Sequence, residues 1–231
     1  MNNTIGLNEN QKELRKFTDK LSHNLFDTIA SLSILKTIED VAVKINQDGH
    51  GAYYSYIQRQ MINSSILSIN KMFDTDKKSI TVDKINKYIA YNYRSIPMKE
   101  PVTKMGAEDF KYFDKDKLVS ISNTDSLAKY LSLEVEKIKI LYKTDLEALR
   151  DLRDRYIAHT DTRLIENITS WNKVDELVIF LLDYLDLIDF VLLSSFWSGD
   201  GEKPCSMLIS DAEKPSISLK RTFEKLGYID L

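Results

Sequence analysis

The stretch from Val178 to Trp197 restricts what this chain can become more than any other. It is apolar on more than one helical face, as a helix central to a bundle or lying at a dimer seam must be. Its length would let it cross a membrane, but Asp183, Asp186 and Asp189 interrupt it, and each carboxylate is costly in hydrocarbon. The expectation is a helix from about Trp171 to Trp197, wrapped by other helices of a protein with no membrane span. Only seven glycines and four prolines among 231 residues leave little material for a many-turned β fold. The expected fold class is all-α, an up-and-down bundle of four to six main helices with short additional ones. One domain spans 1–231, its core about 8–199, with 200–231 as an extension packing on the bundle.

Apolar residues at helical spacing predict a first helix from Asn8 to about Ile45, with Leu14, Phe17, Leu21, Leu25, Phe26 and Ile29 as its stripe and a possible break at Ser31 to Ser33. Gln47-Asp48-Gly49-His50-Gly51 reads as a turn. A second helix runs from about Ala52 to Asp74, with Tyr56, Ile62, Ile66, Ile69, Met72 and Phe73 facing inward. Thr81 caps a shorter one ending near Tyr93. From Ser95 to Asn123 prolines and Gly106 predict an excursion with one short helix. The lysines and aromatics of 111–117 suit base stacking, but a solvated loop is the plainer reading. Asn123 caps the next helix, with Leu127, Leu131, Leu133, Ile138 and Leu141 as core, and the chain then kinks or restarts near Thr144. Past Trp197, a polar connection from Ser198 to Ser218 and a short helix over Ile217 to Leu226 are expected.

A net charge of -3 excludes a protein that coats nucleic acid by bulk electrostatics, yet leaves room for a local cationic site. One cysteine, Cys205, excludes an internal disulfide framework and fits a reducing, cytoplasmic setting. The amino terminus lacks the basic and apolar pattern of a signal peptide. Asp183, Asp186 and Asp189 recur at steps of three and drift around a helix by roughly 60° each, so no metal site and no cofactor is expected from them. His23 reads as solvated or capping, and His50 as a turn residue.

Cationic groups gather around a histidine in one place, from Leu146 to Asp161. Leu146, Leu149, Leu152, Tyr156 and Ile157 make this an amphipathic helix with its arginines off the buried stripe. Arg155 and His159 lie on nearly one face, with Arg153 about 120° round. An imidazole beside fixed guanidinium charges suits a phosphate.

Arg153-Asp154, four further residues and His159 resemble the arginine, polar residue, spacer, histidine signature of the HEPN superfamily, and the surroundings look most like its abortive-infection branch. The run Ile66 to Asp74, followed by a new helix near Thr81, is similar to that branch's second-helix ending. The likeness covers roughly Asn8 to Gly199. It implies a helical, usually dimeric protein, and in many members a metal-independent ribonuclease of a toxin or antiviral system, sometimes with a partner such as an antitoxin.

Carried over residue by residue, the resemblance makes Arg153 the phosphate-binding group, His159 the proton-transfer group, and Asp154 an orienting residue. Arg150 and Arg155 are supporting RNA contacts, and Asp74 is a further candidate for an orienting carboxylate. RNA cleavage by the neighbouring 2′-hydroxyl needs a base, an acid and a cation on the phosphorane. One chain supplies a single suitable histidine, and the resemblance implies that two protomers pool their copies in one cleft. The alternative is a noncatalytic RNA- or nucleotide-binding or dimerisation module with the same cleft. Plainer still is a surface helix whose arginines pair with Glu147, Asp151 and Asp154. In one related toxin pattern a tyrosine stands two residues after the histidine; here that residue is Asp161, which argues against nucleotidylation.

Overall fold

A computed structural model gives the fold and describes residues 6–74, 78–104, 110–154, 169–193 and 204–229. Among these, nine α-helices and one 3₁₀ turn follow in order, with no strand. They are α1 (Glu9–Glu39), α2 (Ala42–Gln47), α3 (Gly51–Phe73), α4 (Val82–Asn92), α5 (Lys115–Val119), α6 (Thr124–Leu141), α7 (Lys143–Leu152), α8 (Trp171–Leu193) and α9 (Pro204–Lys225), with the 3₁₀ turn at Val102–Lys104. The all-α architecture is as expected, with α1, α3, α6, α8 and α9 as its long members.

The described part of α8 lies against α1, α6 and α9 and is buried on all sides through Leu177, Phe180, Leu181, Tyr184, Leu185 and Ile188. Burying each such side chain contributes roughly 1.5–3 kcal/mol, so this helix anchors the core. No described helix is long and apolar enough to cross a membrane. Asp183, Asp186 and Asp189 of α8 each answer a different part of the chain. Asp183 accepts from the Lys111 backbone N–H at 3.0 Å, Asp186 from the Cys205 N–H at 2.8 Å, and Asp189 from Arg15 Nη1 at 3.2 Å. Cys205 is buried in the first turn of α9.

The caps read at Thr81 and Asn123 form: Thr81 accepts from the Lys84 N–H and Asn123 from the Ser126 N–H. Asn8, not singled out as a cap in the sequence, accepts from the Gln11 N–H while Gln11 returns a bond to the Asn8 N–H. Gly49 takes a positive φ of 79°, and at Gly51 a Cβ would meet the Asn46 side-chain amide, which would have to rotate away.

Three expectations need correction. First, α1 does not break at Ser31 to Ser33. Buried Ser31 continues the helix, and Ser33 meets Ser216 of α9 Oγ to Oγ at 2.5 Å, so the small residues mark a close crossing. Second, no polar connection runs to Ser218, because Pro204–Lys225 is one helix of 22 residues. Its buried side chains, Cys205, Ala212, Ser216 and Phe223, keep helical spacing but are mostly small, so the apolar signal is weak. Pro215 sits inside this helix on its exposed side. Third, Tyr56, Leu133 and Leu141 are exposed rather than core. The restart read near Thr144 is found: Tyr142, two residues earlier, separates α6 from α7. It is buried, donates to Glu176 Oε2 at 2.7 Å and lies 3.1 Å from the Tyr112 hydroxyl. Burial, and then bonding to Glu176, pushes its phenol well above the ordinary tyrosine range.

Candidate functional site

The site is built where α3 and α7 end side by side. Buried Asn70 of α3 donates from Nδ2 to the Leu149 carbonyl of α7 at 2.9 Å, and also to the Ile66 carbonyl at 2.8 Å. One turn further along both helices, Arg153 Nη1 donates to Asp74 Oδ2 at 2.7 Å. Both bonds join residues 79 positions apart, so the two helix ends run in the same direction. Their partial negative charges therefore add, and Asp74 at the C-cap of α3 adds a full one. The Arg153 guanidinium, at the C-cap of α7, lies where this field favours a cation.

Arg153 also donates from Nε to Asp154 Oδ1 at 2.6 Å. Its side chain is 22% exposed, against 18% for Asp74 and 51% for Asp154. Bonding to Asp154, and then the charge of Asp74, raises its pKa further above its ordinary value, while burial opposes them. Among the described residues these bonds engage two of the five guanidinium N–H groups, and the other three are of the kind that binds a phosphate. The carboxylates thus fix the plane of a fork suited to nonbridging oxygens.

The structure brings Asp74, Arg153 and Asp154 together, though 79 positions separate Asp74 from Arg153. Arg150 is exposed on α7 one turn earlier. Arg155 and His159 lie outside the described residues, as do Tyr156 and Ile157. Where the description resumes, Thr169 Oγ1 donates to Asp145 Oδ1 at 2.8 Å, fixing the chain ahead of α8 to the first turn of α7. His23 is exposed and pairs through Nδ1 with the Asp19 carbonyl at 2.6 Å.

Sequence reasoning missed two features. Asn70 reads as one polar residue on an apolar helix, and only its burial shows that it bridges α3 to α7. A lysine cleft beside the end of α3, lined by Lys20, His23, Lys71 and Lys78, draws on three separate segments. No local spacing announces it. Among the described residues no group of three or more His, Cys, Asp or Glu side chains could hold a metal ion.

Compared with known proteins, residues 11–201 match the family model for AbiU2, a HEPN family. No curated protein and no solved structure matches. With the match running through α1 to α8, this chain belongs to the AbiU2 family of HEPN domains.

Proposed function

We propose that this abortive-infection HEPN domain is a metal-independent endoribonuclease whose site is shared by two copies of the chain. The observation that carries the reading is Arg153, held by Asp74 and Asp154 at the adjoining ends of α3 and α7, whose other guanidinium N–H groups are of the kind that binds a phosphate. In the reaction the 2′-oxygen attacks the adjacent phosphorus as a base takes its proton, and the bond to the 5′-oxygen breaks as an acid protonates it. The products are a cyclic 2′,3′-phosphate and a 5′-hydroxyl. Arg153 stabilises the charge that builds on the nonbridging oxygens. His159 transfers the protons, with the second copy's His159 filling the complementary role. Asp74 and Asp154 position the guanidinium, and Arg150 and Arg155 hold the flanking RNA backbone.

Support for a pair comes from α6, the helix that leads into α7. Leu133 and Ile140 are 62% and 67% exposed on one side of it, with Leu141 exposed beside them. Glu136 and Lys137 stand between them, also exposed. An antiparallel two-fold pairing centred between Glu136 and Lys137 sets Leu133 of one copy against Ile140 of the other and Glu136 against Lys137, as an isologous interface requires. A second reading, phosphate binding without turnover, draws on the two carboxylates already on Arg153. Incubating the protein with RNA and a chelator separates the two. Fragments ending in cyclic phosphate that vanish in His159→Ala support the nuclease, and retardation without cutting supports the binding module.

A further inference from the structure

Away from the Arg153 site, α1, α3, α8 and α9 line a cavity of about 530 Å³, within the range of sites that hold a whole small ligand. Ile29 and Leu32 of α1, Ile62 of α3 and Val178 of α8 give it apolar surface. Trp171, the first residue of α8, also lines it and is 40% exposed, so part of the indole is open to an occupant. Along α1 the lining runs from Ile29 to Glu39, about 15 Å of helix. A space of that length suits an elongated molecule better than a single ion.

Charge selects the kind of molecule. Glu39 of α1, Asp175 of α8 and Glu213 of α9 bring three carboxylates to the lining, against the one ammonium of Lys36. None of the three makes a side-chain hydrogen bond or an ion pair with another described residue. Burial pushes the Asp175 carboxyl above the ordinary aspartate range, with the charge of Lys36 opposing it. A further cation in the cavity adds to that opposition and favours the ionised carboxylate. Methylene groups cover apolar surface while ammonium groups bond carboxylates, and an indole attracts a cation to its face.

We propose that this cavity binds a small aliphatic polyamine, its ammonium groups on the carboxylates of Glu39, Asp175 and Glu213 and its methylenes against Ile62 and Trp171. The site is separate from Arg153, because Ile62 precedes Asp74 on α3 by about 18 Å of helix. The wall made by Glu213 belongs to α9, which lies beyond the residues 11–201 that match the family. The inference does not depend on the nuclease reading, because binding is measured without RNA.

The test is calorimetric titration of the full chain with spermidine at low salt, where saturable binding of a single molecule per chain is expected. Asp175→Asn/Glu213→Gln is expected to weaken that binding on the order of tenfold. Both side chains are exposed, so the helical circular dichroism is expected to persist. Trp171→Ala is expected to weaken binding as well, whereas Lys36→Gln, which removes the competing ammonium, is expected to strengthen it. Glu9→Gln/Asp116→Asn takes away exposed carboxylates elsewhere and is expected to leave binding unchanged. The proposal is overturned if the parent does not bind spermidine, if Asp175→Asn/Glu213→Gln binds it as tightly as the parent, or if Lys36→Gln binds it more weakly. An equal loss in Glu9→Gln/Asp116→Asn would also overturn it, because the attraction would then be diffuse and not seated in the cavity.

Discussion

Arg153 donates to Asp74 across 2.7 Å at the point where α3 and α7 end together. A carboxylate at the C-cap of a helix is unfavourable in the field of that helix, so Asp74 is poorly placed for its own helix and well placed for the guanidinium. In the proposed ribonuclease, that mismatch makes Asp74 a residue that positions Arg153.

Asp74→Asn keeps the shape of the side chain and removes its charge. The charge-assisted bond is expected to be worth about 1–3 kcal/mol of folding stability, read as a lower urea midpoint. RNA cleavage is expected to fall mainly in kcat, with KM little changed, and Asp74→Glu to recover part of it. An unchanged kcat in Asp74→Asn would remove the residue from the site.

Arg153→Lys preserves the positive charge but loses the planar fork. Cleavage is expected to drop by at least tenfold, since one lost transition-state hydrogen bond of about 1.4 kcal/mol already has that effect. Activity equal to the parent's would reduce Arg153 to a point charge.

Burial pushes the Asp189 carboxyl up to about 6, with Arg15 opposing it, and only 14% of the side chain is exposed. The folded state therefore holds this proton more tightly than the unfolded chain, whose aspartates titrate near 3.9. Its contribution is fully present below about pH 4 and is lost as pH rises through 6, a change on the order of 3 kcal/mol. Unfolding in urea at pH 4.5 and pH 7 should show Asp189→Asn gaining stability relative to the parent at the higher pH. A pH-independent difference between the two proteins would contradict the buried-carboxyl account.

Pro215 removes a backbone donor inside α9, and a proline within a helix costs about 3 kcal/mol. Pro215→Ala, on the exposed side of that helix, is expected to raise Tm, at about 2–4 °C for each kcal/mol recovered. A lower Tm would mean that the proline is required for the path of the helix.

What was legible in the sequence was local. Thr81 and Asn123 announced helix starts because a cap lies within a few residues of what it caps. Leu133 and Leu141 misled because periodicity shows that a stripe is apolar without showing what covers it. The last helix was hidden because Ala212 and Ser216, small residues at a close crossing with α1, carry little hydrophobic signal. Asp74 could be suggested from its place at a helix end, but its bond to Arg153 depends on α3 and α7 running in parallel. No window of neighbouring residues contains that fact.

The apolar face of α6 gives the proposed pair a direct test. Leu133→Glu/Ile140→Glu is expected to sediment as a monomer and to lose cleavage, while circular dichroism stays helical because both positions are exposed in one chain. A dimer that survives both substitutions would place the interface elsewhere.

In the proposed ribonuclease two copies of His159 face one groove. Cross-linking His159→Cys chains, in a Cys205→Ser background, with a short bifunctional thiol reagent tests it most directly. A covalent dimer is expected in high yield at dilute protein concentration. Chains that sediment as dimers yet remain unlinked would put the two histidines on separate faces and contradict a shared ribonuclease site.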